Sequence, residues 1–403
     1  MTRIICFDLR CLQIGHESRG IGMHARSILE NIDPNEDVRY VIYAFDKNDP
    51  IKNLGIRMPV PYTLVQTKWM KKSIDRPQDF FNLAQIIWHK YRPLKNKDVD
   101  VFIQFDFMLG LPRFTSVKKV LIAYDLIPLK FKRDYIPTPF MEFKKHHGIF
   151  KKTKKALRAT YYQMRYWLHY KNFQKADMIL GISDDTAKSL HDILSIPYEK
   201  ITTIPLAPVF NTDKAKKPSA LSISTPFIFY IGATDPRKRV QDLIEAFSIA
   251  RSKGVDIDLI LAGKEFAKPE KIPQASIVKA LRNNEYRSNI HSIGYVDDSE
   301  KLWLYKNAVA FVFPTAYEGF GLPVLEAMKM GCPVISYDNS SIPEVVGDAA
   351  ILIETGDVSS LATGILRINS DSSLRSTLID RGVERAKEFT WSGYMNNFYE
   401  KVL

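Results

Sequence analysis

The sequence predicts an α/β protein with two domains, each built on a parallel β-sheet flanked by helices. Its 403 residues are enough for two or three domains, since one domain takes about 150 residues. Short apolar runs alternate with helical stretches in both halves, which is the pattern of a parallel sheet covered on both faces. A segment at 211–226, rich in Lys, Ser, Pro and Thr, interrupts this alternation and is the predicted linker.

Five apolar runs in the first half predict strands, and the first of them ends at Asp8. These strands cover 4–7, 38–45, 101–105, 119–123 and 178–182. A loop at 18–22 follows the first strand and leads into a predicted helix at 23–29.

The alternation restarts after the linker. Strands are predicted at 227–231, 259–262, 310–314 and 333–336, with helices at 240–250 and 323–330. The predicted domains are therefore 1–212 and 213–385, and 386–403 form a C-terminal helix that could cross back to the first domain.

Cysteine use and hydropathy favour a cytoplasmic location. The three cysteines, Cys6, Cys11 and Cys332, have no metal-ligand spacing and form no even-numbered disulfide framework, so reduced thiols are expected. No stretch approaches the ~20 apolar residues that span a bilayer. Asp8 and Arg10 interrupt the N-terminal apolar run, which argues against a signal peptide.

The positive charge is concentrated in one segment. The formal net charge is +12, and Lys130–Lys175 holds thirteen Lys and Arg against only Asp134 and Glu142. An anionic partner is expected for this segment: a membrane surface, a phosphorylated lipid or a nucleic acid.

Part of this segment has the pattern of a basic amphipathic helix. Leu157, Tyr161, Met164 and Leu168 fall at helical spacing. The residues of the neighbouring face are Lys151, Lys155, Arg158, Tyr162, Arg165 and His169. Two interpretations stay open: a helix that lies on a membrane surface, and a domain helix with its apolar face inward and its basic face in solvent.

The stretch from Phe311 to Glu326 predicts an anion-binding site. A strand runs into a loop with Gly319 and Gly321, and Pro323 then suits the first turn of a helix. The free N–H groups and the dipole of a helix start favour an anion such as a diphosphate.

Two carboxylates flank the predicted anion site, and each could bridge vicinal hydroxyls. Glu318 precedes the glycines and Glu326 lies on the following helix. A diol on either side of a diphosphate is the layout of a nucleotide sugar. Taken alone, the spacing of two glutamates is also compatible with ordinary solvated side chains.

This segment resembles the signature of retaining glycosyltransferase family 4, and the pattern is most like that of bacterial polysaccharide mannosyltransferases. The resemblance covers 227 to about 390 and includes 294–296, 302–308, 330–336 and 341–349. It implies the GT-B architecture, in which two Rossmann-like domains face each other across a cleft.

The resemblance also implies roles for individual residues. Glu318 would contact hydroxyls of the donor sugar and act in catalysis, and Glu326 would bind the ribose. The nucleotide sugar would also be bound by backbone groups of Val296, Gly319, Phe320, Gly321 and Leu322.

A basic pair follows the first strand of the second half. Lys238 matches the family lysine that neutralises the leaving diphosphate, and it is predicted to be catalytic. Many relatives have Arg directly after the glycine, where this chain has Ala233. Arg237 is the candidate for the second cation. Fixed cations can stabilise a departing diphosphate without a metal.

The first half contributes four further candidates. Gly20 and Gly22 resemble the family loop that touches the diphosphate or the sugar, although a lone Gly-x-Gly more often shapes a turn. Tyr124 stands where many relatives have His, and its hydroxyl could bind a sugar or belong to the core edge. Asp125 matches the family and is predicted to be catalytic.

No metal site is predicted. Asp98 with Asp100 and Asp256 with Asp258 match the Asp-x-Asp pattern of metal-dependent transferases. Both pairs precede predicted strands and are interpreted as solvated strand-entry residues.

The expected function is transfer of a hexose from a nucleotide sugar to a glycan on a lipid-diphosphate carrier at the inner membrane face. GDP-mannose is the first candidate for the donor, and UDP- and dTDP-sugars are alternatives. The nucleotide sugar is a co-substrate, so no cofactor is expected. The rivals are a protein that binds nucleic acid or membrane through 130–175 and a non-transferring relative. For the transferase itself, no nucleic-acid partner is expected.

Overall fold

A computed structural model of the chain describes residues 2–17, 19–34, 37–46, 48–67, 94, 99–112, 116–136, 149–210 and 214–403. The chain divides into two compact units. One comprises Met1–Leu206 with Trp391–Leu403, and the other comprises Ala207–Thr390.

The first unit is built on a parallel sheet. Its elements up to the last strand are β1 (Arg3–Asp8), α1 (Gly20–Glu30), β2 (Val38–Phe45), α2 (Pro50–Asn53), β3 (Tyr62–Thr67), β4 (Val101–Gln104), β5 (Lys118–Ala123), α3 (Ile127–Lys130), α4 (Lys132–Tyr135), α5 (Ile149–Lys175), β6 (Met178–Gly181), α6 (Asp184–Leu194) and β7 (Ile201–Thr203). The strand order is β3-β2-β1-β4-β5-β6-β7. In the register of the sheet, Ile5 of β1 lies between Tyr40 and Val101.

The second unit repeats this plan. Its elements are β8 (Phe227–Ile231), α7 (Val240–Ser252), β9 (Asp258–Ala262), α8 (Ala275–Arg282), β10 (Ile290–Gly294), α9 (Asp298–Asn307), β11 (Ala310–Phe313), α10 (Leu322–Lys329), β12 (Val334–Tyr337), α11 (Ile342–Val346), β13 (Ala350–Ile353), α12 (Val358–Ser370) and α13 (Ser372–Ala386). The order of its parallel strands is β10-β9-β8-β11-β12-β13. The strands β9, β11 and β12 are buried throughout, as expected for a sheet with helices on both faces.

The last helix, α14 (Trp391–Val402), belongs to the first unit. Its buried side chains Tyr394, Met395, Phe398 and Val402 recur at helical spacing and form the face that packs inward. The ring of Phe398 stacks on Phe7 of β1 with centroids 6.3 Å apart. No helix among the described residues is long and apolar enough to cross a bilayer.

Two parallel-sheet α/β domains were predicted, and the structure confirms this fold class. One boundary in the first domain is wrong. The predicted loop at 18–22 is shorter, because α1 begins at Gly20 after the extended residue Arg19. Gly22 therefore lies inside the helix.

The predicted apolar face of the basic helix is also wrong. Leu157 is 66% exposed and Met164 is 38% exposed in α5, whereas His169, which was placed on the basic face, is buried. The buried face near the C-terminal end of α5 is set by Tyr170 and Phe173, which pack into a core with residues of β5, β6 and α6. The aromatic side chains near the end of α5, rather than the predicted stripe, therefore define its inward face.

Candidate active site

The candidate site lies where the strand order of the second sheet reverses. The strands β8 and β11 are neighbours, and the chain winds outward from them in opposite directions, to β9 and β10 and to β12 and β13. Ligands of doubly wound sheets bind beyond the carboxyl ends of the strands at such a switch point. The segments that follow β8 and β11 carry Lys238 and Glu318, respectively.

Arg237, Lys238 and Glu318 are in direct contact. The Lys238 Nζ lies 2.6 Å from Glu318 Oε1, and the Arg237 Nη1 lies 2.8 Å from the same oxygen. The Thr315 hydroxyl also donates to this oxygen, at 2.7 Å. Lys238 is 9% exposed and Glu318 is 8% exposed. Three of the predicted residues, with Thr315, thus form one buried ionic cluster.

Local geometry fixes the two segments of this cluster. Asp235 caps the short helical turn Pro236–Lys238 by accepting a hydrogen bond from the backbone of Arg237. Arg239 then takes a left-handed conformation with φ 47°, which turns the chain into α7. The backbone N–H of Ala316 donates to the carbonyl of Arg237 at 2.7 Å, so the two segments are joined directly.

The cluster holds Glu318 as a carboxylate. Burial alone would raise the pKa of Glu318, but the charges of Lys238 and Arg237, with hydrogen bonds from Lys238 and Thr315, keep it below its ordinary value. Burial lowers the pKa of Lys238, and the charge of Glu318 opposes that shift. The result is a buried carboxylate paired with two cations.

The start of α10 follows immediately. Gly321 precedes the helix with φ 102°, and a Cβ there would lie 2.8 Å from Ile342 Cδ1. The left-handed φ favours glycine at this position, and a larger residue would also have to displace the end of the Ile342 side chain. Gly319 and Phe320 are buried, and Leu322 is half-buried as the first residue of the helix. The structure therefore places the predicted strand–loop–helix arrangement next to the ionic cluster.

Glu326 lies one turn into α10 and is held by two groups from α9. The Lys301 Nζ lies 3.1 Å from Glu326 Oε1, and the Tyr305 hydroxyl donates to Oε2 at 3.2 Å. All three side chains are buried. Burial raises the pKa of Glu326, while the charge and hydrogen bond of Lys301 and the hydrogen bond of Tyr305 oppose the rise.

Removing Lys301 should therefore destabilise the second unit at neutral pH. Breaking one half of a buried ion pair costs about 3 kcal/mol, and about 1 kcal/mol shifts the midpoint of a domain of this size by roughly 2–4 °C. We expect Lys301→Met to lower the midpoint of thermal unfolding at pH 7.5 by about 6 °C or more. Lys306→Met, an exposed lysine of the same helix, is the control.

The pH dependence of this effect has a defined sign. A glutamate with a raised pKa in the folded state binds protons more tightly than in the unfolded state, so its cost to stability falls on acidification. Without Lys301 the pKa of Glu326 should rise further. The difference in midpoint between Lys301→Met and the wild type should thus be smaller at pH 5 than at pH 7.5, and a difference that grows at pH 5 would contradict this account.

Val296 follows β10 at the same edge of the second sheet. It is buried, and the neighbouring Tyr295 is 66% exposed. Gly294 has φ 73° and its carbonyl accepts a hydrogen bond from Gly263 at 2.6 Å, which links the ends of β9 and β10. The predicted contact of this loop with a nucleotide base stays a prediction.

Tyr124 and Asp125 lie in the first unit, directly after β5. The Tyr124 hydroxyl is 2.9 Å from His24 Nδ1. Asp125 accepts a hydrogen bond from the backbone N–H of Ile127 at 2.9 Å, so one of its oxygens fixes the start of α3. The catalytic role predicted for Asp125 is not tested by this contact.

Gly20 and Gly22 lie in the first turn of α1. A Cβ at Gly22 would lie 2.0 Å from the carbonyl oxygen of His16, whereas a Cβ at Gly20 would meet nothing within 4 Å. Gly22 therefore allows the backbone of the preceding loop to pack against the helix. Gly20 is exposed, and contact of either glycine with a diphosphate or sugar stays a prediction.

These two glycines provide a matched pair of variants. Gly22→Ala should displace the loop at His16 and lower the thermal midpoint by about 5 °C, because overpacking costs about 1–3 kcal/mol. Gly20→Ala should leave the midpoint unchanged or raise it slightly, since alanine favours helix. Thermal unfolding of both variants checks this, and equal midpoints would contradict the close packing at Gly22.

The Asp-x-Asp pairs are only partly as predicted. Asp100 and Asp256 are exposed, but Asp258 is buried and bonds to Asn289 at 2.8 Å and to His291 at 3.0 Å. It ties the starts of β9 and β10 together, so its interpretation as a solvated residue is wrong. Asp98 lies outside the described residues.

The comparisons with known proteins concern both halves of the chain. Residues 211–385 match the family model described as Glycosyl transferases group 1. The O-antigen chain mannosyltransferase B of Escherichia coli is 30% identical over 230 residues, which are 55% of this chain and 59% of that protein. The serotype-specific mannosyltransferase WbdA of Escherichia coli is 26% identical over 424 residues, covering 96% of this chain and 46% of that protein. The chain thus spans about half the length of these relatives.

Solved structures share the fold. Anabaena Alr3699/HepE in complex with UDP-glucose matches with a TM-score of 0.68 at 14% identity, over 99% of this chain and 98% of that one. Sucrose-phosphate synthase from Thermosynechococcus elongatus matches with a TM-score of 0.64 at 19% identity, over 99% of this chain and 98% of that one. These likenesses support the predicted fold class of two α/β domains with parallel sheets, and at this identity they show the fold alone.

Four residues of the two sites escaped the sequence reasoning. Thr315 stands three positions before Glu318, and only the presence of a hydroxyl close to the glutamate in the sequence hints at their contact. Lys301 and Tyr305 lie four residues apart on α9. This spacing places them on one face of the helix but does not predict their contact with Glu326. His24 gives no signal at all, because its contact with Tyr124 spans 100 positions.

Proposed function

We propose that the chain is a retaining, metal-independent glycosyltransferase that moves a hexose from a nucleotide sugar to a growing glycan. The Glu318 carboxylate carries the proposal. Its Oε1 receives hydrogen bonds from Arg237, Lys238 and Thr315, whereas Oε2 receives none from the part of the chain that the structure describes. A carboxylate held by one oxygen presents the other to a sugar hydroxyl.

The cations beside Glu318 would receive the leaving group. Lys238 and Arg237 stand at the switch point of the second sheet, and the N-terminus of α10, the positive end of its dipole, follows Glu318 within four residues. Fixed cations and a helix start stabilise the charge that develops on a departing diphosphate. Glu326 would bind the ribose hydroxyls from its place further along α10.

Retention requires attack from the face that the leaving group vacates. We assign no protein nucleophile to this step. The bond between the anomeric carbon and the diphosphate oxygen breaks, the acceptor oxygen bonds to the anomeric carbon, and the leaving phosphate takes the acceptor's proton. In this scheme Glu318 holds the sugar, and Lys238 with Arg237 stabilises the phosphate charge.

Mannose from GDP-mannose is the first candidate for the transferred sugar. Two Escherichia coli relatives with the statistics given above are named as mannosyltransferases. UDP- and dTDP-sugars remain alternatives, because recognition of the base through backbone groups leaves little trace in the sequence.

A donor panel tests the function. Thermal shift with GDP-mannose, UDP-glucose, UDP-N-acetylglucosamine and dTDP-rhamnose identifies the nucleotide sugar. Mass spectrometry then measures transfer of the sugar to a lipid-diphosphate-linked glycan. Proton NMR of the product gives the anomeric configuration, and added EDTA tests the metal requirement. The proposal fails if no donor stabilises the protein, or if the product has the inverted configuration.

We place the acceptor's membrane carrier near the basic segment at 130–175. The helix α5 has eight Lys and Arg and no acidic residue. It exposes Leu157, Met164 and Trp167, and the Nζ of Lys171 lies 3.6 Å from the centre of the Trp167 ring. Exposed apolar side chains within a strongly basic helix suit the interface of an anionic bilayer.

Vesicle binding tests this placement. We expect the protein to sediment with vesicles that contain phosphatidylglycerol and cardiolipin, and much less with phosphatidylcholine alone. The double variant Leu157→Gln with Trp167→Gln should weaken binding about 30-fold or more, since burial of the apolar area of each exposed side chain contributes roughly 1–2 kcal/mol. Ile193→Gln, which alters an exposed apolar residue of α6, should bind normally. Equal binding of both variants would contradict the placement.

A further inference from the structure

The loop after β12 contacts the backbone of Glu318 on both sides. This loop covers residues 338–341 and leads into α11. The backbone N–H of Glu318 donates to the Ser340 hydroxyl at 2.9 Å, and the Ser341 hydroxyl donates to the Glu318 carbonyl at 3.1 Å. Two serine side chains of one loop therefore hold the peptide groups before and after the carboxylate residue.

Asn339 ties the same loop to Thr315. Its Nδ2 donates to the Thr315 carbonyl at 2.9 Å and to Thr355 Oγ1 at 2.8 Å, and its Oδ1 accepts a hydrogen bond from the Ser340 hydroxyl at 2.9 Å. Thr315 in turn donates its own hydroxyl to Glu318 Oε1. The Ser340 hydroxyl thus belongs to a chain of hydrogen bonds that starts at the Glu318 backbone and returns to the Glu318 carboxylate.

Ser340 adopts a conformation that suits glycine better than serine. Its φ is 49°, in the left-handed region, where a side chain is strained and glycine is not. Strained backbone beside an active site points to a role for the side chain that it carries. Ser340 is half-buried, and its hydroxyl reaches the Glu318 N–H from this conformation. The contact with Glu318, rather than local backbone preference, thus accounts for the serine.

We infer that Ser340 is a positioning residue for Glu318. Its hydroxyl holds the peptide N–H of Glu318 and so sets the direction of that side chain, with Oε1 toward Lys238 and Arg237. The inference rests on the proposed function, because the group that Ser340 positions is the carboxylate that would hold the sugar. It adds a residue that lies outside the strand–loop–helix segment of the site.

Two substitutions at Ser340 separate positioning from folding. Ser340→Gly removes the hydroxyl but relieves the left-handed strain, so its thermal midpoint should stay within about 3 °C of the wild type. Ser340→Thr keeps a hydroxyl but places a β-branched residue at positive φ, which should lower the midpoint by about 4 °C. Because the hydroxyl positions Glu318, the more stable glycine variant should be the slower enzyme.

Steady-state kinetics with the donor found in the panel measure this difference. Ser340→Gly should lower kcat about 10-fold and change the KM for the donor less than about 3-fold, because a misplaced group raises the barrier while the cations still hold the diphosphate. Ser340→Thr should stay within about 3-fold of the wild-type kcat. In the Glu318→Gln background, Ser340→Gly should have no further effect. Normal turnover by Ser340→Gly, activities that follow the midpoints, or losses that multiply in the double variant would overturn the inference.

A control variant and a second measurement distinguish this inference from the proposed function. Ser248 of α7 is half-buried, and its hydroxyl also accepts one hydrogen bond and donates another, so Ser248→Ala should transfer normally. Titration of the 13C-labelled Glu318 carboxylate by NMR needs no turnover. Its pKa should be higher in Ser340→Gly, because the carboxylate is held less closely to Lys238 and Arg237. A higher pKa in a chain that transfers no sugar refutes only the proposed function, whereas an unchanged pKa refutes positioning by Ser340.

Discussion

Glu318→Gln should lower the rate of sugar transfer by about 100-fold or more, which is the usual cost of losing one charge-stabilising group in an active site. The amide keeps the size of the side chain but removes the negative charge that lies 2.6 Å from Lys238 and 2.8 Å from Arg237. It also replaces one acceptor oxygen by an NH2 donor, so the side chain can no longer accept from the Lys238–Arg237–Thr315 donors and from a sugar hydroxyl with two separate oxygens. Steady-state kinetics with the donor found in the panel measures the loss.

Binding of the nucleoside diphosphate should change in the opposite direction. Glu318 partly neutralises Lys238 and Arg237, and its removal leaves both cations free to attract phosphate. We expect GDP to bind Glu318→Gln as tightly as the wild type or more tightly, by calorimetry. Glu354→Gln, which alters an exposed carboxylate of the same unit, should change neither quantity. Near-normal transfer by folded Glu318→Gln would contradict the role of this carboxylate.

The stability of Glu318→Gln should depend on pH. The pKa of Glu318 is lowered in the folded protein, so its ionised form stabilises the fold above the pKa of the unfolded chain. This contribution is lost as the pH falls through the lower, folded pKa. The variant should therefore unfold at a lower temperature than the wild type at pH 7, and the gap should narrow below about pH 4.

The second half of the fold was predictable because local and global signals agree there. Apolar runs at 227–231 and 310–314 give β8 and β11, and glycine and proline at 321 and 323 mark the start of α10. Each of these signals has a cause within a few residues of its position. The ionic cluster then follows, because adjacent parallel strands bring their carboxyl ends to one edge.

The errors have a different physical origin. The buried face of α5 could not be predicted because the helix has two candidate apolar stripes, one with Leu157 and Met164 and one with Tyr170 and Phe173. Only packing against the core of the first unit decides between them. Gly22 was placed in a loop because glycine usually interrupts helices, whereas here it admits the His16 carbonyl. Asp258 and His24 are set by partners that are 31 to 100 positions away.

Lys238→Met should also lower the transfer rate by about 100-fold or more, but through the leaving group. Methionine retains most of the length of the lysine side chain. In the wild type the Lys238 Nζ lies 4.6 Å from the centre of the Phe313 ring. The variant therefore removes the charge without opening a large cavity. Arg237 remains beside Glu318, so the cluster keeps one of its two cations.

The change in GDP affinity distinguishes the role of Lys238 from that of Glu318. Loss of Lys238 leaves the net charge of the cluster lower by one, so GDP should bind more weakly, whereas Glu318→Gln should keep or improve its binding. Lys329→Met, an exposed lysine of α10, is the matched control and should behave as the wild type. If Lys238→Met binds GDP normally and loses only turnover, Lys238 does not meet the diphosphate, and its buried ion pair with Glu318 serves only to hold the carboxylate in place.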